Sequence, residues 1–365
     1  MEQAGVLALG FVIVIICFNF TTLVDCLSPQ REAERCENQM MTYYLLRRIV
    51  YAIPILLGIN VITFALFFMV NSPDDMARMQ LGQKYVKPAA IMQWKVQRGY
   101  DLPLFYNAEK SGLKQVTETL FFQKSLRLFA FDFGISDGGR DISYDISHRM
   151  WPSLAIAIPI LLFGMLADII FAMSMAFFRT TYLDLSGVVI CIILMSISSL
   201  FYIIGGQYIF GKVLRLVPIS GYDDGLDSIK FIVLPVLVAV LAGVGAGSRW
   251  YRTLFLEEMN KDYVKTARAK GLSESILLFR HVLKNALLPI LTGVVVIIPS
   301  LFMGSLVLES FFGVPGLGSY IIDAIQQQDF AIVRAMVFLG SILYIVGLIL
   351  TDISYTLVDP RVRLG

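Results

Sequence analysis

The sequence predicts an all-α, polytopic membrane protein, on three observations. Charged residues make up only 16% of the 365-residue chain while apolar ones make up 57%, and mean hydropathy is +0.71; soluble domains carry about a quarter charged residues. The apolar residues come in long runs rather than in alternation, several beyond the ~18 residues that a helix needs to cross a bilayer. Lys and Arg also gather at alternate ends of those runs, as the positive-inside rule requires.

The first run, 5–24, follows the opening MEQAG, which lacks the positive start of a secretory signal. Asp25 stands before Cys26 where a lipoprotein would need a small residue. The run is taken as an extra span entering from outside, within an N-terminal extension 1–40; a true start at Met41 is the rival reading. The second run, 49–70, is preceded by Arg31, Arg35, Arg47 and Arg48. Residues 71–151 are the one sizeable polar segment, punctuated by Pro103, Gly134 and Gly138. At about 80 residues it is too long for a connector and predicts a small folded cap. Five more spans are expected at 152–178, 186–210, 231–247, 286–308 and 332–351. Arg179, the eight basic residues from Arg249 to Lys284, and Arg361 with Arg363 then share one face, taken as cytoplasmic, whereas 309–331 holds no Lys or Arg. Lys212 and Arg215 are minor exceptions on the outer side.

Several residues are singled out by their surroundings. Asp168 lies mid-span, about 16 Å of helix from Arg179; it either lines a path or makes a structural hydrogen bond. Gly243, Gly245 and Gly247 include a G-x-x-x-G spacing, read as close helix packing or as local flexibility. Gly206, Gly211 and Lys212 fit the spacing of a phosphate loop, but Val213 stands where Ser or Thr must hold Mg²⁺. ATP binding is therefore not expected of this chain. Cys17 and Cys191 read as small hydrophobes, and Cys26 and Cys36 could pair only in an oxidising compartment. His148 and His281 fall on opposite sides in this topology, so neither a metal site nor a catalytic triad is expected.

The cytoplasmic segment 248–285 carries the most information. Phe255, Met259, Tyr263 and Ala267 recur every fourth residue, a helical stripe. Ala267 and Ala269 are small enough for close approach to another surface. Gly271 ends the helix where a positive φ is needed, and Ser273 can cap the next one. Two short helices joined at a glycine result. They are either a solvated connector or a knob that docks into another protein.

The run YVKTARAKGL at 263–272, followed by RHVLKNALLP, resembles the EAA loop of the first permease subunit of dipeptide/oligopeptide ATP-binding-cassette importers. Lys265 and Thr266 replace the usual opening of that motif, and the gap from Gly271 to Pro289 is longer than in sugar importers. Further matches run in order from Tyr44: YLLRRIVYAIPILLG, YDLPLFYN, FDFGIS, LVPISGY, LESFFGVPGLGSYIIDAI and DISYTLVDPRVR. Residues 1 to about 40 fall outside them.

The resemblance implies a type I importer transmembrane domain over 41–365, with six core helices, an outer loop domain at 71–151 and a coupling loop at 248–285. It implies that Tyr263, Ala267 and Gly271 shape a contact with a separate ATPase, with Arg268 and Lys270 as polar grip. Glu309 matches the family's motif glutamate. Pro315, Gly316 and Gly318 belong to an element folding back over the path as an outer gate. The implied partners are a second homologous permease, two ATPase subunits holding ATP and Mg²⁺, an extracytoplasmic binding protein and membrane lipid, with no nucleic acid. The setting is a prokaryotic inner membrane and the cargo by default a peptide; nickel complexes, glutathione and oligosaccharides are the alternatives. A secondary transporter driven by an ion gradient is the rival class, though it usually shows repeated halves and several intramembrane charges. An intramembrane enzyme would need motifs such as H-E-x-x-H, which the sequence lacks.

Overall fold

The computed structural model describes residues 31–70, 72–82, 86–108, 110, 112, 114–223 and 225–358. The 5–24 run, Cys17, Cys26, Asp359, Arg361 and Arg363 lie outside them. Helix α1 runs Arg31–Val70 and contains the predicted 49–70 span. Contacts divide the chain at Tyr51 into two units. In the first, Arg47 Nε donates to the Tyr51 hydroxyl (3.1 Å). Everything below belongs to the second, which begins at Ala52.

The polar segment holds several short helices. Ser72 Oγ accepts from Asp75 N and starts α2 (Pro73–Leu81); α3 (Pro88–Arg98) closes at Gly99, φ +65°. Both helices open on proline, whose missing N–H costs nothing in a first turn. Short helical turns follow at Lys114–Thr117, Leu120–Lys124 and Leu126–Ala130. Phe64 and Phe68 of α1 enter one core with Met76, Ala77, Trp94, Tyr100 and Leu120. The Trp94 and Tyr100 rings stack 5.4 Å apart, and the Tyr100 hydroxyl donates to Asp137 (3.0 Å).

Asp141 accepts from Ser143 N and Tyr144 N and starts α4, Ile142–Phe177. The helix thus begins ten residues before the expected 152, because its cap lies at Asp141 and its first turns belong to the cap region. The predicted 186–210 span is two helices, α5 (Tyr182–Ser196) and α6 (Ser199–Gly206, continued by a π-helical turn Gln207–Val213), bent by 86°. Ile197 and Ser198 are extended, which breaks the ladder. The Tyr202 hydroxyl donates to Leu194 O (3.0 Å) across the break, satisfying a carbonyl that lipid could not.

Helix α7 runs Ser228–Met259, about 48 Å. It overshoots the bilayer, so residues 248–259 are helix rather than loop. Short α8 (Asp262–Ala269) follows, then a turn at Glu274–Ile276, a π-helical turn Leu277–Val282 and α9 (Leu283–Leu301). Helices α10 (Leu306–Phe312) and α11 (Leu317–Gln326) meet at 84°, and α12 runs Phe330–Val358. At about 10 and 15 Å, α10 and α11 are too short to cross the bilayer, and their bend makes them a fold-back pair. The crossings among the described residues are then α1, α4, α7 and α12, with the bent pairs α5–α6 and 274–301.

Candidate functional site

Two sites emerge, one at each end of α4. At the inner end, α8 turns one face inward. Val264 and Ala267 share a dry core with Phe255 and Met259 of α7, Leu277 and Val282 after the turn, and Ala172 and Ala176 of α4. The predicted stripe is real but interrupted, since the helix breaks at Asn260 and resumes after an extended Lys261. Ala267, 8% exposed, therefore packs against its own chain. Tyr263 is half-buried; its hydroxyl donates to Glu258 (2.7 Å), and burial raises its pKa.

Gly271 has φ +80° with open space where a Cβ would stand, so glycine is required there by backbone conformation alone. Across it, Arg268 Nε and Nη2 donate to the two oxygens of Glu274 (2.7 and 3.2 Å). That hydrogen-bonded pair holds the Glu274 carboxyl below the usual range. Arg268 thus clasps the two helices together. Ser273 occupies the cap position, but its side chain makes no capping bond. What α8 and its turn leave outward is Asp262, Lys265, Thr266, Ala269, Lys270 and Gly271, with Lys265 paired to Asp262 (2.8 Å).

At the other end, Glu309 is 1% exposed on α10. Its Oε1 accepts from Ser305 N (3.1 Å) and its Oε2 from Gly318 N and Ser319 N (2.8 and 3.1 Å). The carboxylate closes the start of α11, where exposed N–H groups and the helix dipole favour a negative charge. Ser153 of α4 also bonds Glu309 and accepts from Leu317 N (2.8 Å). A Cβ at Gly316 would lie 2.2 Å from Glu309 Oε2, one at Gly304 2.0 Å from Oε1, and one at Gly318 2.6 Å from the Ser305 backbone. The predicted glycines are therefore demanded by close approach. Pro315 sits exposed at the tip of the turn. Further along α11, the Tyr320 hydroxyl donates to Asp145 (2.9 Å) and the Arg149 guanidinium lies 4.7 Å from its ring.

Beside Glu309 is a recess of about 250 Å³ between α4 and α9, lined by Ile156, Ile160, Ile297, Ser153, Ser300 and Ser305 among others. Asp168 does not line it. Its carboxylate accepts from Ser248 Oγ (3.1 Å) and lies where a Gly247 Cβ would be, at 2.0 Å. Asp168 thus makes a structural hydrogen bond, one of its two alternatives, and Gly247 serves packing. Gly245 likewise lies against Cys191 O, whereas Gly243 meets nothing within 4 Å. Gly206 and Gly211 of the phosphate-loop lookalike serve packing too, against Val238 and Ile219. Sequence reasoning missed Ser153 and Gly304, which nothing local marks. It also missed the Arg252–Asp184 pair (2.8 Å for both bonds) that joins α7 to α5, although an aspartate at the start of an apolar run was a visible signal.

Residues 168–364 match the family described as binding-protein-dependent transport system inner membrane component, and residues 41–120 match its N-terminal companion. A Brucella melitensis protein provisionally named as a peptide transport system permease is 32% identical over 89% of this chain and 99% of its own length. The oligopeptide transport system permease AppB of Bacillus subtilis is 29% identical over 88% of this chain and all of its own. The glutathione transport system permease GsiC of Salmonella paratyphi A is 28% identical over 88% and 99%. The chain belongs to the family of inner membrane components of binding-protein-dependent transport systems, and is a multi-pass permease subunit of an ATP-driven importer whose ATPase resides on other chains.

Proposed function

We propose that this chain forms half of a translocation path for peptides or related small solutes. It pairs with a second homologous permease and is driven by two ATPase subunits that hold ATP and Mg²⁺. An extracytoplasmic binding protein delivers the cargo to the outer loops. The names of the relatives, for peptide, oligopeptide and glutathione systems, support the cargo class.

The observation that carries the mechanism is the placement of α4. Its inner end, through Ala172 and Ala176, shares a core with α8, and its outer part holds the fold-back pair through Ser153. Lys265, Thr266, Ala269, Lys270 and Gly271 form the surface that seats in an ATPase groove. When nucleotide draws the grooves together, α8 moves with them, and the shared core transmits that movement to α4 and the outer gate. This is a two-state element biased by a ligand. The fold-back pair, with Glu309, Pro315, Gly316 and Gly318, is the gate, and the recess beside Glu309 is this chain's share of the path.

Purification under mild detergent with mass spectrometry of the accompanying chains tests the assembly. Recovery of a second permease and ATPase subunits is expected. Recovery of this chain alone, transporting in vesicles without ATP, would sink the reading in favour of a gradient-driven carrier.

A further inference from the structure

Away from both sites, α1, α12 and the cap surround a small pocket. Asn60 and Thr63 of α1, Ser125 of the cap and Arg334 of α12 meet there with Phe64 and Phe338. Asn60 and Arg334 are each 5% exposed. Among the described residues, Asn60 Oδ1, Arg334 Nε and Arg334 Nη1 are buried with no hydrogen-bond partner. Unmet polar atoms at this depth are rare in folded proteins.

We propose that this space is a binding site for a single structural water, which bridges Arg334 to Asn60. Volume and chemistry both select that occupant. The centre of a water-sized sphere has about 10 Å³ to move in, close to the minimum for one molecule. The orientation of the Asn60 amide is set by its other end, where Nδ2 donates to Ser125 O (3.0 Å), so Oδ1 faces the space as an acceptor. Arg334 offers only donors. A cation is repelled by the guanidinium, and an anion is opposed by Oδ1. Water alone accepts from the arginine and donates to the amide. Thr63 Oγ1 donates to Ile59 O (2.7 Å) and keeps lone pairs that can accept a further hydrogen bond from the same water. The neighbouring Phe68 ring, 5.2 Å from the guanidinium, supports its charge from another side. The bridge fastens three elements at one point: the second predicted span, the last span, and the cap through Ser125.

Hydroxyl-radical footprinting of the assembled transporter by synchrotron X-rays tests this, because radicals born on a held water mark the side chains that touch it. Phe64 and Phe338 are 1% and 3% exposed. Both should be oxidised several-fold faster than Phe255, which is 0% exposed in the inner core, and faster than that small difference in exposure accounts for. Asn60→Leu should bring Phe64 and Phe338 down to the Phe255 rate. Wild-type rates no higher than that of Phe255 would overturn the proposal. So would a density map of the complex in which Arg334 bonds Asn60 directly, or in which the site takes up bromide.

Discussion

Three backbone N–H groups converge on the buried Glu309 carboxylate, and hydrogen bonds to a charged acceptor are about twice as strong as neutral ones. Glu309→Gln keeps the shape but loses the charge and one pure acceptor, so a cost of about 1.5–3 kcal/mol is expected, read as a lower Tm of the purified complex. Gly316→Ala should be at least as damaging, since its Cβ would collide with the same carboxylate. At the inner end, two alanines separate fold from docking. Ala267→Glu places a charge in a dry core and should lower Tm. Ala269→Glu, on the exposed face, should leave Tm unchanged and abolish ATP-coupled uptake; normal uptake in Ala269→Glu would refute the docking surface. Asp137 in the cap is pushed above the usual carboxylate range by burial, with the Asp329 charge adding and Arg334 opposing. A carboxyl raised by folding binds its proton more tightly in the native state, so its contribution to stability falls as pH rises from the ordinary range through the raised value. Asp137→Asn should flatten that part of the Tm–pH profile. Gly271 and Glu309 were legible in the sequence because a backbone demand and a motif mark them. Ser153 was not, since one serine beside a proline in an apolar run carries no sign of the N–H it will meet.

Helices were legible by their apolar length, and the break at Gly271 by its glycine, but the break at Ile197–Ser198 was not. The 186–210 run has no glycine or proline at Ile197–Ser198, yet it bends by 86° there; the Tyr202 hydroxyl, eight residues from the Leu194 carbonyl it satisfies, closes the break. The inward face of α8 was likewise invisible, because periodicity shows which residues share a stripe and not which surface meets it. Two element-level tests follow. Arg252→Met strands the part-buried Asp184 without its partner and should cost about 1–3 kcal/mol, and adding Asp184→Leu should recover most of it, since a desolvated pair is harder to halve than to replace. Thermal unfolding of the single and double variants decides this. The second concerns α11, held to α4 through Ser153, Asp145 and Arg149. These ties predict that gate and helix move as one body. A structure trapped with a non-hydrolysable nucleotide should keep the Ser153–Leu317 hydrogen bond, and its rupture would show that α11 swings alone.

At the scale of the molecule, α4 passes through core after core. Ile142 and Ile146 pack with α11 and α12, Ile156 with α7 and α10, and Ala172 and Ala176 with α8. The architecture of spans plus cap was readable from composition and charge; this threading was not, because it is set by which apolar faces meet. The contacts described for gate and coupling surface lie beyond Tyr51. If the true start is Met41, a chain lacking 1–40 should assemble with its partners, and loss of the complex on removing 1–40 would show that the first run is a working span. A helix embedded in several cores also obeys an accounting rule. If nucleotide changes how tightly the outer face holds its partner, that partner must change nucleotide affinity by the same factor. Titrating nucleotide with and without the loaded binding protein would measure that one number from both directions.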